Sequence, residues 1–273
     1  MSSLTFDQDL CIQCGACVDV CPTRIIIRRD QAVPSVHPRA ERACIVCGHC
    51  VAVCPKSAVA HKDMLPGDCM PLEKALDPSG GQIRQFLLSR RSIRSYQEKE
   101  VPREVIYEVI ALASHAPSGH NLQPVHWKVI HDRKNLSKLE SLVLDWMKEM
   151  VAKGHPLAQA LSMPTILKIS EMGNDMIFRG APHLVAAHAA GEERMTVLMG
   201  TIALTYFELA LRAKDLGGCW AGFFDIACGL SPAITEALEL PEGHRPCGSM
   251  FFGYPKHRYM RVPKRKEPRI TWA

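Results

Sequence analysis

Two stretches, CIQCGACVDVCP at 11–22 and CIVCGHCVAVCP at 44–55, agree at nine of twelve positions and lie 33 residues apart, so the chain contains an internal repeat. Each copy spaces four cysteines as C-x2-C-x2-C-x3-C-P. Three thiolates this close together hold three corners of an iron–sulfur cubane, and the fourth cysteine of such a run reaches the neighbouring cluster. Two copies therefore predict two [4Fe-4S] clusters, one on Cys11, Cys14, Cys17 and Cys54, the other on Cys44, Cys47, Cys50 and Cys21.

The residues between the ligands have their own reasons. Gly15 and Gly48 allow a tight turn around an inorganic core, and Pro22 and Pro55 redirect the chain after the last ligand. Ile12, Val18, Val20, Ile45, Val51 and Val53 supply an apolar shell that limits water. Zinc has no use for interleaved four-cysteine sets, and disulfides suit neither the repeat nor a reducing compartment. The other four cysteines, Cys69, Cys219, Cys228 and Cys247, lack ligand spacing and read as ordinary buried thiols.

The chain has 273 residues, 47% apolar and 22% charged, which suits about two globular domains. No run of 18 apolar residues appears. MTVLMGTIALTYFELAL at 195–211 includes threonines and Glu208 and reads as a buried helix, so no membrane association is expected. MSSLTFDQDL has neither a basic start nor an apolar core, which favours a cytoplasmic protein. The net charge is +5, and much of it comes from KHRYMRVPKRKEPR near the carboxyl end. With aromatic residues at 6%, that run suits a phosphate site or a solvated tail better than nucleic acid.

The elements that must position this chemistry divide the sequence into a two-cluster domain at 1–62, a linker rich in Pro, Gly and acids at 63–82, and a larger domain at 83–273. Helical periodicity marks IRQFLLSRR, PREVIYEVIALASHA and 134–152. Strand-like runs are VHWKVIH at 125–131, HLVAAHA from 183, CWAGFFD at 219–225 and GSMFFGY at 248–254. Helices between strands, with no G-x-G-x-x-G at a strand-to-helix turn, predict an α+β fold without a Rossmann site.

Residues 1 to about 62 resemble a two-cluster bacterial ferredoxin. Free ferredoxins of that kind are usually acidic, whereas this stretch carries seven Lys or Arg against five acids. It thus has a surface able to attract an acidic electron carrier.

LSRRSIRSY (88–96), APSGHNLQPVHWKVI (116–130), FRGAPHLV (178–185) leading on to LGGCWAGFF (216–224), and FFGYPKHRYMRVPKRKEP (251–268) resemble, in order, the flavin-dependent nitroreductase family. The resemblance implies a homodimer with FMN in a cleft between subunits. Arg90, Arg91, Ser92 and Arg94 fall at positions that hold the phosphate and ring edge, a role suited to guanidinium forks and a hydroxyl. Pro117, Ser118, Gly119 and Asn121, with Gln123 nearby, match a flavin-lining loop of the other subunit. Ala221 and Gly222 match the place where backbone N–H groups meet the reactive nitrogen. Lys264 and Lys266 match phosphate-binding positions, with Arg265 the alternative if the register shifts. Many members carry an acid at Ala221 and a lysine before the GAP segment, where this chain offers Asn174 and Ile177.

The combination implies an oxidoreductase in which single electrons pass through the clusters to FMN, which reduces a small organic acceptor such as a nitroaromatic, quinone or activated alkene. The donor is a ferredoxin or an NAD(P)H-linked partner. The alternatives are a flavoenzyme reduced directly by NAD(P)H, with the clusters exporting electrons, and a non-catalytic electron-transfer or redox-sensing protein.

Overall fold

Left-handed backbone recurs at matched places in the two cysteine repeats: Gln13 and Val46 (φ 57° and 49°), Gly15 and Gly48 (82° and 72°), Arg24 and Ser57 (51° and 54°). The repeat is therefore a repeat of conformation as well as of letters. In the computed structural model, residues 3–30, 32–191 and 193–273 are described, and contacts divide the chain into two units. One unit comprises 1–78 together with 118–122, and the other 79–117 and 123–273.

In the first unit, β1 (Leu4–Phe6) is followed by α1 (Ala16–Asp19), β2 (Ile26–Ile27), β3 (Ser35–Val36), α2 (Ala40–Ala43), α3 (His49–Ala52) and β4 (Val59–His61). Strand β1 pairs antiparallel with β4, and β2 with β3. Gly15 and Gly48 immediately precede α1 and α3, where their positive φ turns the chain between the second and third cysteine. A small core of Leu4, Cys17, Ile25, Ile26, Val51 and Val59 lies beneath the cysteine loops. Such a core is modest for a unit of this size, and bound clusters add to folding free energy in sites of this kind.

The second unit runs α4 (Gly80–Ser89), α5 (Arg103–Ala113), β5 (His126–Ile130), α6 (Arg133–Ala152), α7 (Pro156–Ala160), α8 (Met163–Glu171), β6 (His183–Ala190), α9 (Glu193–Ala210), β7 (Gly217–Trp220), α10 (Gly222–Leu230), α11 (Pro232–Glu236) and β8 (His244–Gly253). Four strands form an antiparallel sheet in the order β5-β6-β8-β7. Side chains of β6 alternate between two cores. Leu184 and Ala186 face α6, α8 and α10, while Val185, Ala187 and Ala189 face α5 and α9. A central strand covered on both faces reads as a continuous apolar run, which is why HLVAAHAA shows no polar alternation.

Two expectations change. CWAGFFD is not one strand: β7 ends at Trp220 and α10 begins at Gly222. Phe224, Ala227 and Cys228 are buried at helical spacing, and a short apolar run does not by itself distinguish the two states. The 195–211 helix is not buried all round either. Met199, Leu204 and Phe207 face the sheet, whereas Met195, Val197, Leu198 and Tyr206 remain exposed. The stretch Arg194–Lys214 is long and apolar enough to cross a membrane by length and composition alone, but its inner face closes the core with α5 and the sheet.

Candidate functional site

The eight repeated cysteines line two separate hollows in the interleaved sets. One is bordered by Cys11, Cys14, Cys17 and Cys54; the other by Cys44, Cys47, Cys50 and Cys21. Most of the remaining lining is apolar. Among the described residues no three Cys, His, Asp or Glu side chains converge on a single-ion site. A hollow ringed by four thiols instead suits a cluster that spreads its ligands over four corners.

Electrostatics follow the same grouping. Burial pushes the Cys17 thiol up, and the neighbours adding to that are Cys54, Cys11 and Cys14. Burial likewise pushes Cys50 up to about 11, with Cys47 and Cys21 adding to it. The fourth cysteine of each motif meets backbone donors. Ala58 N–H reaches Cys54 Sγ at 3.2 Å. Burial acts most strongly on Cys21, but amides including that of Ile25, with the Thr23 hydroxyl, outweigh it and hold the thiol below its ordinary value. Ile25 and Ala58 are repeat equivalents, so each fourth ligand meets the same peptide of its repeat, and such contacts tune cluster potential.

In the second unit, residues 90–97 lie extended along the sheet. Ile93 N–H donates to Gly218 O at 2.9 Å, Gln97 N–H to Tyr254 O at 2.9 Å, and Lys256 N–H to Ser95 O at 3.0 Å. A Cβ at Gly217 would stand 2.4 Å from Ile93 Cγ1, so only glycine admits this approach. The Tyr96 hydroxyl donates to Ile93 O at 2.7 Å and fixes the bend. Arg90 and Arg91 thereby border an open basin together with Arg212, Lys256 and Arg258. Glu208 and Asp215 are its acids, which leaves the basin cationic and suited to a phosphate.

Arg90 Nη1 meets Glu208 Oε1 of α9 at 2.7 Å, and Arg212 lies over the Phe86 ring at 4.6 Å. Arg91 Nη1 donates to Arg90 O, while its Nε is buried without a hydrogen-bond partner. An orphaned guanidinium donor beside a cationic basin fits a phosphate oxygen, since an unmade buried hydrogen bond is costly.

Ala221 is buried and its N–H donates to Ser249 O at 3.0 Å. Gly222, the first residue of α10, is exposed, and a Cβ there would meet nothing within 4 Å. The open helix start leaves room for a flat ring to approach backbone N–H groups. Three residues on, Asp225 accepts a short hydrogen bond from Ser249 Oγ; burial, partly offset by that bond, pushes its carboxyl up to about 6.

Not every residue expected for the flavin joins this basin. Ser92 interacts with Cys219, and Arg94, on the exposed side of the same segment, also acts on that thiol. Asn174 is exposed just beyond the end of α8. Lys264, Arg265 and Lys266 lie on an exposed tail outside the basin, and Lys256 and Arg258, earlier in the same basic run, line it instead. Pro117 belongs to the second unit, whereas Ser118, Gly119 and Asn121 group with the first. His120, Asn121 and Gln123 all have left-handed φ, a strained arrangement of the kind that clusters at functional loops. Sequence reasoning missed Arg212 and the pairing role of Glu208. An acid within a long, largely apolar helix was the available signal for Glu208.

A family model described as the nitroreductase family matches residues 87–254, and one described as a 4Fe-4S dicluster domain matches residues 10–59. Nitroreductase NfnB of Mycolicibacterium smegmatis is 28% identical over 160 residues, covering 50% of this chain and 68% of its own. A Bacteroides fragilis nitroreductase structure with bound FMN is similar over 70% of this chain and 98% of its own, at a TM-score of 0.56 and 19% identity. The FMN-dependent nitroreductase NfnB from Mycobacterium smegmatis, in complex with NADPH, covers the same shares at a TM-score of 0.52 and 19% identity. At these identities the structural likeness is one of fold.

Proposed function

Because the chain belongs to the nitroreductase family and carries a 4Fe-4S dicluster domain ahead of it, we propose that its clusters pass single electrons toward FMN for reduction of a small organic acceptor. The protein is an oxidoreductase with FMN and two [4Fe-4S] clusters as cofactors. When bound, FMN supplies the conversion between one-electron carriage and two-electron reduction. Two clusters hold two electrons between them, the number a nitroaromatic, quinone or activated alkene takes with two protons in its first reduction.

The observation that carries the relay is the interleaved lining of the two hollows, which suits two clusters close together in one small unit. The chain's own residues take the remaining roles. Arg90, Arg91, Lys256 and Arg258 bind and orient a phosphate in the basin, with Arg91 Nε the donor most in need of it. The Gly222 end of α10 offers backbone N–H groups to the ring, and Arg94 favours negative charge at the ring's far edge. The exposed apolar residues Met195, Val197, Leu198 and Tyr206 on α9, with Val262, Ile270 and Trp272 on the tail, favour assembly as a homodimer. The excess of basic residues over 1–62 favours an acidic protein as donor.

Anaerobic purification followed by iron, sulfide and FMN counting tests the cofactor set, and Arg91→Ala should lower FMN content at equal iron. Donor assays with a reduced ferredoxin and with NADH follow. The relay expects acceptor reduction from the ferredoxin to fail when the clusters are lost. Equal turnover from NADH with the clusters removed would instead favour direct nicotinamide use, and no acceptor turnover from either donor would favour an electron-transfer or sensing role.

A further inference from the structure

The two repeats agree at nine of twelve positions, so the charges that differ around them are informative. Lys56, directly after Pro55, borders the hollow of Cys11, Cys14, Cys17 and Cys54. Its equivalent 33 positions earlier is Thr23, which borders the other hollow and brings its hydroxyl to 3.7 Å from Cys21 Sγ. A cation thus stands at the first site where a neutral hydroxyl stands at the second.

A second cation falls on the same side. Gln13 and Gly15 flank the ligand Cys14; Gln13 O accepts from Arg28 Nη1 at 2.5 Å, and that nitrogen stands 2.9 Å from where a Cβ of Gly15 would be. At Gly48 the place is taken by Met64 Sδ, at 2.6 Å. The repeat equivalent of Arg28 is His61, which is buried and whose Nδ1 accepts the Asp63 N–H at 3.1 Å, so its ring is neutral. Backbone donors do not separate the two sites, since Ala58 at Cys54 and Ile25 at Cys21 are equivalent. Exposed charges elsewhere in the repeats, Asp7, Asp9, Asp19 and Arg42, line neither hollow, and water and salt screen them.

From this asymmetry we propose that Arg28 and Lys56 set a redox order within the cluster unit: the Cys11/Cys14/Cys17/Cys54 cluster is the more easily reduced, and the first electron taken up rests there. The inference rests on the two-cluster reading and is independent of the flavin. A one-electron carrier loses one electron and the cluster gains it; no bond forms or breaks, and no proton is required. A cation beside the site stabilises the more negative, reduced state, and net charge is among the properties that set the potential of such clusters. The second site has neutral Thr23 and Met64 at the matching places and lacks that help.

The test uses the anaerobic holoprotein at pH 8, which keeps imidazole charge out of the comparison, in electron paramagnetic resonance at potentials stepped with dithionite and mediators. Cys14→Ser and Cys47→Ser, each removing one cluster, assign the signals. The signal absent from Cys14→Ser should appear first as the parent is reduced. Arg28→Gln and Lys56→Gln should each lower the reduced fraction of that cluster relative to the other about tenfold at low ionic strength, about 59 mV for one electron. Arg28→Lys and Lys56→Arg, which keep the charge, should keep the parent order, a result that a merely structural role would not give. High salt should shrink the glutamine effects, since both side chains are exposed. The proposal is overturned if the signal absent from Cys47→Ser appears first, or if either glutamine variant leaves both midpoints in place or moves both equally. Iron and sulfide short of two clusters in the parent would sink the two-cluster reading, and the order with it.

Discussion

Arg90 and Glu208, 118 positions apart, meet at 2.7 Å where the start of the extended strap crosses α9. Their exposures are unequal: the Arg90 side chain is 30% accessible and that of Glu208 only 8%. The acid thus relies on the arginine more than the arginine relies on the acid, because Arg90 can turn to water or to a phosphate.

The two partners should therefore respond differently to truncation. Arg90→Ala leaves a buried carboxylate unpaired and should cost about 2–3 kcal/mol, below the cost of breaking a fully buried pair because water reaches one side. Glu208→Ala should cost about 1 kcal/mol, since the stranded guanidinium is partly solvated. Thermal unfolding followed by tryptophan fluorescence measures both, as Trp127, Trp146, Trp220 and Trp272 all lie in the second unit. Equal losses would mean that burial does not set the energetics of this pair.

The interleaved ligand sets lead to a crossed result. Cys54→Ser sits in the second motif but borders the hollow of Cys11, Cys14 and Cys17. It should abolish the first cluster and leave the second intact, and Cys21→Ser should do the reverse. Iron content should fall by about half in either variant, and the surviving electron paramagnetic resonance signal should differ between them. A Cys54→Ser signal that matched that of Cys47→Ser, and not that of Cys14→Ser, would show that each motif closes on its own cluster.

Legibility in the sequence tracked how local the chemistry is. The grouping of eight cysteines about two hollows was readable because a cubane dictates thiol spacing within a dozen residues, and Gly15 and Gly48 were readable because the turn needs positive φ. The four-stranded sheet was largely readable from apolar runs, but Phe224 and its neighbours were not, since a helix start and a strand end share the same composition there. The basin was only half readable. Arg90 and Arg91 sit in a recognisable motif, whereas Glu208 and Arg212 reach it from α9 and the turn after it, across more than a hundred residues. Within one basic run, spacing alone did not separate Lys256 and Arg258, which line the basin, from Lys264 and Lys266, which do not.

Glu140 on α6 carries a neutral-range carboxyl for a reason unrelated to the flavin. Burial, then the charge of Asp175 and a hydrogen bond with it, push Glu140 up to about 7. Asp175 is itself committed as an acceptor, taking the amides of Ile177, Phe178 and Gly180 at 2.8–2.9 Å. The folded state therefore holds the Glu140 proton more tightly than the unfolded chain does. Its contribution to stability is present below the unfolded carboxyl range, near 4.3, and is lost as pH rises through about 7. Glu140→Gln keeps a donor toward Asp175 and cannot ionise, so it should be more stable than the parent at pH 8 and close to it at pH 5.

His183 sets the opposite slope. Its ring is fully buried, Nε2 accepts the Val101 N–H at 2.8 Å, and Nδ1 lies 3.0 Å from His131 O, which fixes the tautomer with hydrogen on Nδ1. Protonation would set a new N–H against the Val101 N–H in a site closed to solvent. Burial first, and the nearby His131 second, accordingly pull the ring down to about 4. Because the unfolded ring titrates near 6.5, the unfolded chain binds more protons on acidification. Stability is full above that value and declines as pH falls from about 6.5 toward 4. His188 adds to the trend: burial, with His244 and His126 close by, also lowers it to about 4, and its Nδ1 lies 2.9 Å from His244 Nδ1. His183→Gln retains an acceptor for Val101 and a donor for His131 but does not titrate. Its melting temperature, read from tryptophan fluorescence between pH 7.5 and pH 5, should fall less steeply than the parent's, and parallel slopes would place the acid sensitivity elsewhere.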